Sequence, residues 1–171
     1  MRMIAPITIA ILALVSTVNL WAADRCADDL RHQFDFWLGD WETTSKDGKV
    51  LGYNLIQPIM GNCAFQENWK SVDGKFLGTS YNFYDATNEQ WHQTWVDNTG
   101  GNLQLNGGLE EGGMVLTGKT RNKQEWILNR ITWTPLTDGR VRQHWELSKD
   151  EGKTWSDAFD GYYERRKLEE H

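Results

Sequence analysis

The chain has 171 residues, of which 18 are basic and 24 acidic, so its formal net charge at pH 7 is −6. This balance excludes nucleic acid and anionic membrane surfaces as favoured partners, because no basic cluster precedes the last few residues. The length fits one domain with its own core, and two cysteines far apart in sequence cannot form a zinc framework, so no metal is expected.

The N-terminal segment has the pattern of a secretory signal peptide. Arg2 supplies a short positive region, and the apolar stretch over 4–18 is shorter than the roughly 20 residues of a membrane span. We therefore predict a signal peptide over 1–22 and a protein that is periplasmic or secreted, with no membrane contact after cleavage. A retained N-terminal anchor is the alternative, because Leu20 stands where a cleavage site prefers a small residue.

A short lead-in is expected over residues 23–33, before the main domain. Apolar residues recur at helical spacing from Leu30 to Leu38, which predicts a short helix that covers one end of the domain. Asp28 or the residue after it would cap this helix. The alternative is an irregular lead-in.

Turn-forming pairs then recur at nearly regular intervals, separated by segments of strand length. We predict ten antiparallel strands, and hence an all-β domain over 34–167 with a C-terminal tail over 168–171. A closed up-and-down barrel is favoured over a two-sheet sandwich because closure removes exposed edge strands. The turn pairs are Asp47-Gly48, Gly61-Asn62, Asp73-Gly74, Thr87-Asn88, Gly100-Gly101, Gly112-Gly113, Arg121-Asn122, Asp138-Gly139 and Glu151-Gly152.

The two cysteines, Cys26 and Cys63, predict one disulfide between the N-terminal segment and the third strand if the protein is exported. Two separate buried thiols are the alternative.

The entry to the first strand resembles that of the calycin superfamily, the lipocalin, fatty-acid-binding-protein and nitrobindin-like barrels. Gly39-x-Trp41 carries the resemblance, which implies that Trp41 plugs the closed end under a late basic side chain. Strand parity favours Arg165 for this role, with Arg166 next. The wider resemblance, over residues 30–166, is to bacterial calycin-type domains of unassigned function, and it implies no catalytic residue. Its motifs are Phe34-x-Phe36-Trp37-Leu38-Gly39-x-Trp41, Trp95-Val96-Asp97, Met114-Val115-Leu116, Arg130-x-Thr132-Trp133-x-Pro135, Val141-Arg142-Gln143-x-Trp145-Glu146 and Phe159-Asp160-Gly161-Tyr162.

The segment from Ser148 to Trp155 matches the Asp-box pattern S-x-D-x-G-x-T-W at every defined position. In such a hairpin Asp150 bonds the turn backbone, Gly152 takes a positive φ, and Trp155 packs beneath the turn. Proteins that process glycans carry several copies. A single copy therefore predicts a structural hairpin between the last two strands.

Nine of the ten Trp residues follow the predicted signal peptide, which is more than a core of this size needs. Strand alternation allows several to point into the barrel and form an aromatic ligand pocket with a few polar groups. A solid aromatic core is the alternative. The predicted walls are Trp69, Tyr81, Trp91, Trp95 and Trp145, and the predicted polar groups are Glu67, Gln93, Asp97, Arg130 and Gln143.

Haem, which nitrobindin-like barrels bind, requires an axial ligand that is usually His. His92 and His144 fall on the faces opposite the Trp sets, so no cofactor is expected, and haem is the alternative. No catalytic motif is present. The sequence therefore favours an exported protein that binds a small apolar or aromatic ligand. The alternatives are an isomerase- or cyclase-type enzyme with a buried carboxylate, and a structural or interaction module with a filled core.

Overall fold

The computed structural model describes residues 26–123 and 125–166. The predicted signal peptide over 1–22 and the predicted tail over 168–171 lie outside these residues. No helix in the described ranges is long and apolar enough to span a membrane.

Ten antiparallel strands form one closed barrel, which confirms the predicted fold class. Each strand pairs with the next in sequence, and the last strand pairs back with the first. Closure leaves no strand edge unpaired. The strands are β1 (Gly39–Thr44), β2 (Val50–Ile59), β3 (Ala64–Ser71), β4 (Leu77–Asp85), β5 (Gln90–Asp97), β6 (Asn102–Glu110), β7 (Gly113–Asn122), β8 (Glu125–Pro135), β9 (Val141–Ser148) and β10 (Ser156–Arg165).

The hairpin turns lie close to the predicted turn pairs. Gly48 and Gly74 have φ values of 82° and 70°, a left-handed conformation that glycine adopts without a steric penalty. One of the predicted turns lies later in the chain than expected. Arg121-Asn122 still belongs to β7, and the positive φ of 53° falls at Lys123.

The short helix predicted before the barrel is present, and it has the form of two consecutive 3-10 helices. They are Asp29–His32 and Asp35–Trp37. Asp28 caps the first, where its carboxylate accepts a hydrogen bond from the Arg31 backbone N at 3.2 Å. The break between the two helices allows Phe34 and Trp37 to be buried together, whereas Leu30 is 46% exposed. Tertiary packing of the two rings outweighs the helical periodicity of the sequence.

These helices cover the end of the barrel at which β1 begins and β10 finishes, which we call the closed end. Phe34 stacks on Trp37 at a centroid distance of 5.0 Å and contacts Trp91 and Trp133 edge-on at 5.6 and 5.2 Å. The closed half of the barrel is therefore a filled aromatic core. The hairpins after β1, β3, β5, β7 and β9 form the opposite, open end.

Trp41 and Arg165 meet at the closed end, on the paired strands β1 and β10. The Arg165 guanidinium lies 3.9 Å from the centre of the buried Trp41 ring. Gly39 has a φ of 145°, and a Cβ there would overlap the Arg165 guanidinium. Only glycine therefore fits this position. Arg166 instead lies over the Tyr53 ring at 5.1 Å.

Cys26 and Cys63 form a disulfide, as predicted. The bond joins the segment before the first 3-10 helix to the hairpin between β2 and β3, which also lies at the closed end. It thereby holds the segment that covers this end of the barrel.

Candidate functional site

A cavity of about 810 Å³ occupies the open half of the barrel, above the aromatic core. Seven residues predicted from the sequence as ligand-binding line it, and they come from strands β3, β5 and β9. They are Glu67, Trp69, Gln93, Trp95, Asp97, Gln143 and Trp145. Strand alternation thus brings together side chains that are far apart in sequence.

The expectation that Tyr81 points into the barrel is wrong. Its side chain is on the outer surface and 44% exposed, because the buried Ser80 and Asn82 occupy the inward positions of β4. The prediction failed because alternation assigns the apolar side of a strand to the interior, whereas the inward side of this strand is polar. Trp91 points inward but is buried in the closed-end core, where its Nε1 donates to Gln33 Oε1 at 3.2 Å.

Arg130 also lies outside the cavity. Its neighbours Asn129 and Ile131 take the inward positions of β8, so Arg130 faces outward. There it forms two hydrogen bonds with the Glu146 carboxylate, at 3.0 and 3.1 Å, and its guanidinium lies 3.9 Å from the centre of the Trp155 ring. Its role in the structure is to join β8, β9 and the hairpin before β10.

Glycines beside three aromatic rings of the wall leave room for these rings to pack against the backbone. A side chain at each of these glycines would collide with a ring that now packs against its backbone. The rings are thereby held against the barrel wall and the space between them stays open. The pairs are Trp69 with Gly52, where an added Cβ would lie 2.8 Å from the ring, Phe159 with Gly161, at 2.5 Å, and Trp95 with Gly78, where it would overlap the ring.

A buried carboxyl group lies at the floor of the cavity. Glu67 is only 4% exposed, and its two oxygens accept hydrogen bonds from Asn54 Nδ2 at 2.7 Å and from Ser80 Oγ at 2.6 Å. Burial raises the pKa of Glu67 to about 7, against the lowering effect of these two hydrogen bonds. The group therefore changes charge near neutral pH.

Hydrogen bonds continue from Glu67 around one side of the barrel. Ser80 Oγ accepts from Asn82 Nδ2 at 2.8 Å, and Asn82 Oδ1 accepts from Gln93 Nε2 at 2.8 Å. A longer bond of 3.4 Å joins Gln93 Nε2 to Ser80 Oγ. Both amide hydrogens of Gln93 thus have partners, and its carbonyl oxygen remains for the cavity.

The other side of the floor reaches β9 through a tyrosine. Asn54 Nδ2 donates to the Tyr163 hydroxyl oxygen at 3.2 Å, and the Tyr163 hydroxyl donates to Gln143 Oε1. Burial and the nearby Glu67 raise the pKa of Tyr163 well above its usual value, so the phenol stays protonated. The Gln143 carbonyl is therefore occupied and its NH₂ group remains for the cavity.

Sequence reasoning missed the residues that support Glu67. Asn54, Ser80 and Asn82 are small polar residues at inward positions, and alternation assigns apolar residues to the inside. The available signal was that polar residues occupy every second position of β4 after Gly78. It becomes readable only when the face of the strand is known.

The titration of Glu67 is expected to lower the free energy of unfolding by about 3 kcal/mol as the pH rises from about 4.5 to 7. In this window the folded protein keeps a proton that the unfolded chain releases, so the stabilisation is complete below pH 4.5 and lost above 7. Urea unfolding between pH 5 and 8 measures this slope. The change Glu67→Gln should flatten it, whereas Glu110→Gln, at an exposed site on β6, should not. An equal slope in both variants would contradict the assignment.

The described histidines lie away from the cavity. The ring nitrogens of His92 are hydrogen-bonded with Asn106 Oδ1 and Thr94 Oγ1, each at 2.8 Å, on the outer face of the sheet. His144 is hydrogen-bonded with Asp157 at 2.8 Å. Among residues 26–123 and 125–166, therefore, none of the cavity residues is a histidine that could serve as an axial ligand of haem.

One group of metal-ligand side chains occurs in the described part of the chain. His144, Glu146 and Asp157 have ligand atoms within 4.8 Å of one another on the outside of the barrel. The Glu146 carboxylate is already engaged by the positive charge of Arg130.

The hairpin between β9 and β10 has a dense set of local hydrogen bonds. Asp150 accepts from the Thr154 backbone N at 2.9 Å and from Ser148 Oγ at 2.8 Å, and the Trp155 Nε1 donates to the Gly152 carbonyl at 3.1 Å. These bonds fix the turn at the rim of the open end. They involve no group that points into the cavity.

A comparison with known protein-family models finds no match, and neither does a search of curated proteins. The chemistry of the cavity is therefore the basis on which a function can be proposed.

Proposed function

We propose that this protein binds a small ligand with a largely apolar or aromatic body in the barrel cavity. The observation that carries the proposal is the open volume of about 810 Å³, enclosed by aromatic rings that glycines hold against the wall. Ligand sites in proteins are concave, mostly apolar, and about 300 to 1,000 Å³ in volume. The filled-core alternative applies to the closed half of the barrel only.

The polar groups at the floor would orient the ligand. Glu67, Gln93 and Gln143 are held by hydrogen bonds to neighbouring strands, so their positions are fixed before the ligand arrives. A preorganised site loses less entropy on binding than a flexible one. An apolar pocket with few fixed polar groups gains affinity from burial and specificity from those groups.

We further propose that the barrel is of the calycin type and that the protein is exported. The arrangement of Gly39, Trp41 and Arg165 supports the calycin type. We also propose that the Ser148–Trp155 hairpin is an Asp-box. The Cys26–Cys63 disulfide supports a periplasmic or secreted location, because such bonds persist in oxidising compartments. Binding of this kind requires no cofactor.

The test of ligand binding is a screen of fatty acids, aromatic compounds and haem by tryptophan emission and thermal shift. A ligand in the cavity should change the emission of Trp69, Trp95 and Trp145, which line it. The change Gly78→Ala should push the Trp95 ring into the open space and weaken the hits at least tenfold. Gly108→Ala is the matched control, since a Cβ at that strand glycine meets no atom within 4 Å.

Equal affinity in both glycine variants, each shown to unfold cooperatively, would place the ligand elsewhere. The absence of any hit would contradict the binding function. Gly161→Ala, which displaces Phe159, provides a second variant if Gly78→Ala does not fold.

A second candidate function is an isomerase- or cyclase-type reaction in the same cavity. The raised pKa of Glu67, about 7, is the observation that favours it, because a general acid or base works best when its pKa is near the operating pH. Chromatography and NMR of the screening mixtures after long incubation distinguish the two functions, because an isomer has the mass of its substrate but a different retention time and spectrum. A product that forms with the native protein and not with the Glu67→Gln variant would favour the enzyme.

A further inference from the structure

We propose that the ligand preferred by this cavity is an organic cation, an amine or ammonium compound whose positive group reaches Glu67 between the aromatic rings. This inference rests on the proposed ligand-binding function and names the chemical class of the ligand. The charges, the hydrogen-bonding atoms and the aromatic faces of the cavity each support it.

The carboxyl group at the floor of the cavity is an acid. Among the described residues that line it, the titratable ones are Glu67, Asp97, Tyr163, Lys119 and Arg121. The two basic residues belong to the outer end of β7, where both are exposed. The Arg121 guanidinium lies 5.8 Å from the centre of the Trp126 ring on the outside. The floor therefore contains one ionisable carboxyl and no basic group.

The hydrogen-bonding atoms around Glu67 favour a donor on the ligand. Each Glu67 oxygen accepts one bond from the protein, whereas an ionised carboxylate can accept about four in total. Gln93 adds its free carbonyl oxygen on the same side of the floor. An ammonium group, which only donates, complements these acceptors. The Gln143 NH₂ lies on the other side, where it can bond an acceptor on the ligand.

The aromatic walls attract positive charge as well. Trp69, Trp95 and Phe159 line the cavity, and each ring packs beside a glycine of the wall. The face of an aromatic ring carries negative charge density and attracts a cation within about 6 Å, most strongly when water is excluded. Trp69 and Phe159 meet edge-on at 86° with centres 6.2 Å apart, which forms a corner of the aromatic wall.

A ligand carboxylate would be excluded from the same position. It would face Glu67 and the Gln93 carbonyl oxygen, and repulsion would raise the free energy of the complex. A carboxylate ligand would have to leave its charged group at the mouth, beside Lys119 and Arg121. These two binding modes make opposite predictions for the charge of the best ligand.

Glu67 also connects binding to pH. An alkylammonium has a pKa near 10 and keeps its charge between pH 6 and 8, whereas Glu67, with a pKa of about 7, becomes mostly ionised over this range. The affinity for an amine should therefore rise about tenfold from pH 6 to pH 8. A neutral ligand with the same body should show no such change.

The experiment uses 6-phenylhexylamine, 6-phenylhexan-1-ol and 6-phenylhexanoate, which share one body and differ in head group. Titrations at pH 6 and 8, followed by tryptophan emission excited at 295 nm, give the affinities. We expect the amine to bind at least tenfold more tightly than the alcohol at pH 8. The change Glu67→Gln should remove this advantage and the pH dependence, while Glu110→Gln should preserve both.

The outcomes separate this inference from the function on which it rests. Similar binding of amine and alcohol at both pH values would overturn the cation preference and leave ligand binding intact. Tighter binding of the carboxylate, lost in Lys119→Ala and Arg121→Ala, would overturn it in favour of an anionic amphiphile. No binding by any of the three would overturn both. The pH profile of the native protein decides the matter even if Glu67→Gln does not fold.

Discussion

Replacing Trp41 by Ala is expected to lower the free energy of unfolding by about 3 to 5 kcal/mol, because the change leaves a cavity in a fully packed closed end. The indole is buried, its Nε1 donates to the Trp37 carbonyl at 2.9 Å, and its ring meets Tyr163 edge-on at 6.2 Å. Urea denaturation followed by circular dichroism measures the loss. Trp126→Ala is the matched control: at 60% exposure it should change stability by no more than about 0.5 kcal/mol.

The contact between Trp41 and Arg165 can be measured by a double-mutant cycle. Arg165→Ala should cost about 1 to 2 kcal/mol through the cation–π contact and the packing of its stem. Because the two side chains touch, the double variant should be less destabilised than the sum of the single changes. Arg165→Met, which keeps an apolar stem, separates the charge from the packing. Strict additivity would show that the contact contributes nothing to stability.

Removal of the Cys26–Cys63 disulfide is expected to lower the free energy of unfolding by about 3 to 4 kcal/mol. The bond closes a loop with a sequence separation of 37, and cross-linking restricts the unfolded chain more than the folded one. The double change Cys26→Ser with Cys63→Ser, compared with the oxidised protein in urea, measures the effect. Serine is close in size to cysteine, so the native packing is little altered.

Thiol titration provides the control for this comparison. Oxidised, denatured protein should contain no free thiol, and the same protein after reduction should contain two. A serine variant as stable as the oxidised protein would show that the bond only fastens the N-terminal segment locally, without constraining the unfolded chain as a whole.

The sequence alone determined the ten antiparallel strands and favoured a closed barrel over a two-sheet sandwich. Asp-Gly and Gly-rich pairs recur at intervals of about one strand length. Turn formation and strand alternation both depend on local sequence, so they can be predicted without the tertiary structure. The cysteine count favoured the disulfide. The resemblance to calycin barrels implied that a late basic side chain covers Trp41, and strand parity selected Arg165 over Arg166. Seven residues predicted for the site line the cavity because alternation fixes the inward face wherever a strand has one apolar side.

Tertiary structure decided which way the polar strands face and whether the lumen is open. Tyr81 was placed inside because alternation takes the apolar side as inward, whereas β4 turns Ser80 and Asn82 to the interior to support Glu67. The helical spacing before β1 gave way to two 3-10 turns that bury Phe34 and Trp37 together. At the cavity wall the Trp95 ring packs against Gly78, and this contact depends on the register between β4 and β5, which neither strand specifies by itself. Ring orientation depends on the neighbour across the sheet, and that neighbour is known only once the barrel has closed.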